Sequence, residues 1–226
     1  MMQIYKIGIP EIAIAPMASK LKSSLQQGST TWFLSGGSNI KLEVAIMSRI
    51  DLETSSNLTV TLADERFGAY NHPESNWTKL KAAGFDPKNA RVIEIIQPDT
   101  TDIESATATF EATLEEIFED CPSLIGQFGM GNDGHIAGIL PHSPASTDLN
   151  SLVTSYASTP FHRISLTFNA IKKLNATFLI AMGEEKKQQL ENLVNSDLAL
   201  ADQPAQIIKQ VFESYLYNDQ VERSNQ

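Results

Sequence analysis

The feature that most constrains this chain is an alternation of two hydrophobic periods. Short β-branched and aromatic runs suit buried strands. The segments between them repeat apolar residues every three to four positions, which suits helices with one buried face. "TTWFLS" (30–35) is strand-like, and "NIKLEVAIMSRI" (39–50) follows with Ile40, Val44, Met47 and Ile50 near helical spacing. "LTVTLAD" (58–64) and "RVIEII" (91–96) are the next strand candidates. Residues 102–120 place Ile103, Ala106, Phe110, Leu114, Ile117 and Phe118 on one broad helical face. "SLIGQFGM" (123–130) then reads as a buried strand. Further on, "SLVTSYA", "RISLTF" and "ATFLIAM" are strand-like, "GEEKKQQLENLV" and "PAQIIKQ" helix-like, and "FESYLY" a last strand. This alternation predicts an α/β fold: a mainly parallel sheet flanked by helices in a Rossmann-like three-layer arrangement. No repeat, linker or break in composition divides the chain, so residues 1–226 are read as a single domain.

Composition narrows the function classes. Hydrophobic residues make up 42% and charged residues 19%, which fits a folded globular chain rather than a disordered one. No apolar run is long enough to span a membrane. "MMQIYKIGIPEIAIAP" lacks the basic start, apolar core and cleavage site of a secretory leader. Cys121 is the only cysteine, so no intrachain disulfide can form, and a cytoplasmic location is expected. The net charge of −10 argues against nucleic acid as a partner. An anionic small molecule needs a local cluster of cations and backbone N–H groups to overcome that field. The expected partner is therefore a small molecule, and the expected assembly a monomer or weak homo-oligomer.

In open parallel sheets, ligands bind beyond the carboxyl ends of the strands. The chemically suggestive segments follow strand candidates. "LSGGSN" (34–39) is a glycine-rich turn before a helix, where Gly36, Gly37 and Ser38 can receive an anion. Taken alone, the segment is explained slightly better by a plain tight turn capped by Ser38 or Asn39. Asp64, Glu65 and Arg66 follow "LTVTLA"; a carboxylate there can move a proton and Arg66 can hold a carbonyl oxygen or an anion. A solvated charge cluster is the simpler account of that segment alone.

"FGMGNDGHIAGILPHSP" (128–144) sets Asp133 and His135 among four glycines. Its Gly129-x-Gly131-x-x-Gly134 spacing matches a dinucleotide fingerprint. However, Pro141 leaves little room for the expected helix, and no acidic residue follows a second strand. Histidine titrates near neutrality, so His135 is a candidate proton carrier. Arg163 near a strand start and Lys186 in a first helical turn add cations. No metal-ligand spacing joins His72, His135, His142 and His162, so no metal is expected.

Taken in order, these segments resemble the family of the 6-phosphogluconolactonases and glucosamine-6-phosphate deaminases. "LSGGSN" is similar to its Leu-Ser-Gly-Gly-Ser-Thr-Pro loop, and "DERFGAYNHPESNW" to its Asp-Glu-Arg…Ser-Asn segment. "GMGNDGHIAGILPHSP" is similar to Gly-Met-Gly-x-Asp-Gly-His-Thr-Ala-Ser-Leu-Phe-Pro, and "HRISLTFNAI" and "GEEK" to the later Arg and Lys segments. The departures are Asn39-Ile40 for Thr-Pro, and Ile136 and Gly138 for Thr and Ser. "HIA" follows the deaminase pattern, but the deaminase glutamate falls on Leu140, which cannot exchange a proton.

The resemblance implies hydrolysis of a phosphosugar lactone, 6-phosphoglucono-1,5-lactone, without cofactor or metal. His135 would be the general base, Asp133 or Asp64 would orient it or bind hydroxyls, and Arg66 would lie near the lactone carbonyl. Gly36, Gly37, Ser38, Arg163 and Lys186 would hold the phosphate. The alternatives are an amino-sugar phosphate deaminase or isomerase, a non-catalytic sugar-phosphate sensor, and a nucleotide-binding oxidoreductase.

Overall fold

The computed structural model describes residues 2–222. In chain order its elements are β1 (Gln3–Lys6), α1 (Ile14–Gln27), β2 (Thr30–Leu34), α2 (Ile40–Ser48), β3 (Leu58–Leu62), β4 (Asp64–Arg66), α3 (Asn76–Ala82) and β5 (Arg91–Ile93). Then come α4 (Ile103–Asp120), β6 (Ser123–Phe128), β7 (Val153–Tyr156), β8 (Arg163–Leu166), α5 (Phe168–Lys172), β9 (Ala176–Ala181), α6 (Lys187–Asn195) and β10 (Glu213–Asn218).

Seven strands form one sheet in the order β1-β10-β9-β6-β2-β3-β5. Every neighbouring pair is parallel. Helices flank it, as parallel crossovers require. β2 and β9 are buried at every position, which explains why they read as unbroken apolar runs rather than alternating ones. One hydrophobic cluster extends from Met2 to Val221, with Trp32, Phe33, Phe128 and Phe178 among its largest fully buried side chains. The helix starts follow local chemistry. Asp102 accepts the Ser105 N–H at 2.7 Å to cap α4, and Ser75 accepts the Thr78 N–H at 3.1 Å to cap α3.

Two sequence expectations are refined. "SLVTSYA" and "RISLTF" do form strands, but β7 and β8 pair antiparallel, in a separate three-stranded sheet with β4. "LTVTLAD" is likewise two strands. At Ala63 the chain leaves the large sheet: its N–H donates to Leu34 O at 2.8 Å, while its carbonyl accepts from Leu166 N at 2.9 Å. That single residue ties the two sheets together. Among the described residues, no helix is long and apolar enough to cross a membrane.

The strand order reverses at β2 and β6. From β2 the chain builds toward β3 and β5, and from β6 toward β9, β10 and β1. The loops after β2 and β6 therefore diverge and leave a crevice at the carboxyl edge. The small sheet, entered straight from β3, forms its third wall.

Candidate active site

A cleft of about 190 Å³ fills that crevice, lined by Ser35 to Ser38 after β2, Asp64 and Arg66 on β4, Asn76, then Gly129, Met130, His135 and Ala137 after β6, and Arg163 on β8. A larger hollow of about 740 Å³ lies elsewhere, between β1, β10 and α1, with Tyr5, Phe178, Tyr215 and Tyr217 in its wall. It contains none of the expected site residues. Convergent polar groups, not volume, make the smaller cleft the candidate site.

His135 is carried by a tight loop rather than a helix. Gly131 N donates to His135 O at 3.0 Å and Gly134 N to Gly131 O at 3.0 Å. His135 Nδ1 lies 2.7 Å from Asp133 Oδ1, and the same oxygen accepts the His135 backbone N–H at 3.1 Å. A Cβ on Gly131 would sit 2.1 Å from His135 Nδ1, so only glycine admits the ring there. Partial burial raises the Asp133 carboxyl, but its bonds to His135 outweigh this and hold it below the usual range. An ionised Asp133 can only accept, so it fixes the proton on Nδ1 and leaves Nε2 as the basic nitrogen. Gly134 takes the left-handed backbone, φ 84°, and packs on the Gln203 side chain.

The arginines come from the small sheet. Asp64 and Arg66 are two apart on β4 and share a face, and the register sets Arg66 directly opposite Arg163. Like charges so paired repel, and an anion between them would remove that cost. Arg163 Nη1 lies 3.7 Å from Asp64 Oδ2. Burial pushes the Asp64 carboxyl up to about 6 despite the opposing pull of Arg163. Arg66 donates to Glu74 O at 3.1 Å and lies over the Phe161 ring at 5.5 Å. The Nε atoms of Arg66 and Arg163 are both buried without a partner among the described residues.

The structure brings Gly36, Gly37, Ser38, Asp64, Arg66, His135 and Arg163 to one cleft. Asp133 stands behind His135. Lys186 does not line the cleft; it ends a 3-10 turn, Glu184–Lys186, at the same sheet edge, where burial lowers its ammonium pKa against Glu185 and Asp219. Neither Ser38 nor Asn39 caps α2 with its side chain. Glu65, part of the Asp-Glu-Arg run, is structural. Its oxygens accept from the backbone N–H groups of Arg66, Asn76 and Trp77 and from Ser75 Oγ.

Sequence reasoning missed Glu43 and Asn76. Glu43 is fully buried and accepts the N–H groups of Ser35 at 2.7 Å and Gly36 at 3.0 Å. Asn76 lies against Gly36, and its Nδ2 donates to Asp64 O at 3.2 Å. The usable signal was a glutamate inside an otherwise apolar helix. Gly138, one of the departures, fits a local need: its N–H donates to Ser165 Oγ at 3.0 Å, and a Cβ there would meet Ser165 Cβ at 2.8 Å.

The family model described as glucosamine-6-phosphate isomerases/6-phosphogluconolactonase matches residues 11–216. The chain belongs to this family. A 6-phosphogluconolactonase of Neisseria meningitidis is 30% identical over 182 residues, which cover 76% of this chain and 77% of that protein. One from Synechocystis is 26% identical, over 83% of this chain and 81% of that protein. The crystal structure of 6-phosphogluconolactonase from Thermotoga maritima superposes with a TM-score of 0.82 at 19% identity, covering 96% of this chain and 99% of that one. That likeness shows the family fold: a mostly parallel seven-stranded sheet with flanking helices.

Proposed function

We propose that the cleft hydrolyses 6-phosphoglucono-1,5-lactone to 6-phosphogluconate, with His135 as general base. The observation that carries this is the 2.7 Å contact between His135 Nδ1 and Asp133 Oδ1 beside a glycine loop and two arginines. Nε2 takes a proton from water as the water oxygen bonds to the lactone carbonyl carbon. The tetrahedral oxyanion then collapses and the bond to the ring oxygen breaks. The imidazolium returns its proton to that oxygen, which becomes the sugar hydroxyl. Proton transfer of this kind contributes roughly 10²–10⁴-fold. Arg66 is assigned to the lactone carbonyl, where negative charge develops.

Gly37 and Ser38 begin a helical segment, so their N–H groups lack intrahelical partners and suit a phosphate. Arg163 completes the clamp. Charge-assisted hydrogen bonds contribute about 1.5–3 kcal/mol each, enough for three or four to offset the repulsion of an acidic chain. Gly36 contributes close approach only, because its N–H is taken by Glu43. Lys186 is given an outer contact to the phosphate, reached from the turn after β9.

Leu140 favours the lactonase over the deaminase. The test runs a lactonase assay on fresh substrate, spontaneous opening subtracted, beside ammonia release from glucosamine 6-phosphate. Lactone turnover without ammonia is expected; ammonia without lactone turnover reverses the reading. Lys186→Ala should raise KM for the lactone several-fold, and an unchanged KM removes Lys186 from the site.

A further inference from the structure

We propose that Glu43 is a positioning residue that sets the glycine loop for the substrate's phosphate. This rests on the reading of the cleft as a sugar-phosphate site. Glu43 lies on α2 beneath the loop and is 0% exposed. One oxygen, Oε1, accepts both the Ser35 and Gly36 N–H groups, at 2.7 and 3.0 Å. The other, Oε2, is buried with no hydrogen-bond partner among the described residues. A carboxylate buried this way costs free energy, so a purely structural filler would more cheaply be neutral. When ionised, it strengthens both amide bonds, because hydrogen bonds to an ionised acceptor are about twice as strong as neutral ones.

The consequence is a division of labour within four residues. The first half of the loop is pinned from below by Glu43. It is pinned from the side by Asn76, whose Cγ would lie 2.7 Å from a Cβ on Gly36. Gly36 is held at φ 68°, and a Cβ at Gly37 would meet nothing within 4 Å. The second half, Gly37 and Ser38, therefore faces open space. Ser35, held by Glu43 through its N–H, also accepts Gly129 N on its Oγ at 3.0 Å. Glu43 thus couples the phosphate loop to the loop that carries His135. Burial raises the Glu43 carboxyl to about 7, opposed by the Gly36 and Ser35 amides and reinforced by Asp64.

The test compares wild type, Glu43→Gln and Glu43→Leu in full-length protein. Affinity for inorganic phosphate and 6-phosphogluconate is measured by calorimetry, and kcat and KM on fresh lactone, with melting curves to confirm folding. Glu43→Leu should weaken both anions at least tenfold and raise KM in step, with kcat falling no more than about threefold. Glu43→Gln, which keeps an acceptor but loses the charge, should fall between it and wild type. If Glu43→Leu does not fold, Glu43→Gln decides alone. A threefold or greater loss of phosphate affinity supports the proposal, and a smaller loss overturns it. A folded Glu43→Leu with wild-type anion affinity, or with kcat falling while KM holds, also overturns it. Failure of the wild type to open lactone while still binding phosphate would sink the lactonase reading and leave the Glu43 comparison intact.

Discussion

At the scale of single residues, the proposed chemistry depends on which nitrogen of His135 is free. Asp133 holds Nδ1 at 2.7 Å, and Asp64, the other candidate orienter, is engaged with Arg163 instead. Two positions of separation put Asp133 and His135 on one face of a strand but roughly 6–7 Å apart along it, and off-face on a helix. Only the left-handed turn at Gly134 folds them together. That turn was legible in the glycines, but the pairing was not, because spacing alone does not give the path of a loop. His135→Ala should abolish turnover above the spontaneous rate while leaving 6-phosphogluconate affinity within a few-fold. Asp133→Asn should lower kcat by one to two orders of magnitude with KM little changed, since an amide can present the wrong group to Nδ1. Wild-type kcat in purified His135→Ala on fresh lactone would remove the histidine from the mechanism.

At the scale of elements, the cleft needs β4 to leave the large sheet. The apolar alternation around 58–64 gave no sign that the strand breaks at Ala63, since both halves are buried and extended. Strand pairing is non-local: the β4 partner lies about a hundred residues on, in β8. The centre of the parallel core was legible because strands such as β2 and β9 are apolar on both faces, whereas the mostly exposed edge strand β1 was not. The small sheet was legible only as strands, not as partners. Glu65 anchors the junction. It gathers three backbone N–H groups and one hydroxyl, joining β4 to the start of α3. Its removal strands buried donors, and each buried donor left unsatisfied costs about 1–3 kcal/mol. Glu65→Ala should therefore unfold at markedly lower denaturant than wild type. A midpoint within error of wild type would show that the junction is held by packing alone.

At the scale of the whole molecule, an acidic chain keeps three carboxyls, Glu43, Asp64 and Glu65, buried beside a cationic cleft. Burial raises Glu43 from 4.5 to about 7 and Asp64 from 3.8 to about 6. Between about pH 4 and 7 the folded chain therefore holds protons that the unfolded chain has released. Stability then falls as pH rises, because the unfolded state binds fewer protons in that window. This contribution is fully present below the unfolded values and lost once pH passes about 7. Glu74, Asp102, Asp133, Asp148 and Glu213 shift the other way, so they lose their contribution as pH drops below their ordinary range. The two sets together place maximum stability in mildly acid solution. The net charge of −10 pushes the same way, since self-repulsion grows as the remaining carboxyls ionise. Ligand-free protein should melt higher at pH 5 than at pH 8. In a chain of this size 1 kcal/mol moves Tm by about 2–4 °C, so the trend is measurable. Glu43→Gln should flatten the slope by removing one of the two raised groups, gaining on wild type at pH 8 relative to pH 5. A wild-type Tm that rises from pH 5 to pH 8, or an equal slope in both proteins, would show that Glu43 is already accommodated as a charge. The folded loop would then carry no titration cost for holding its phosphate-facing half in place.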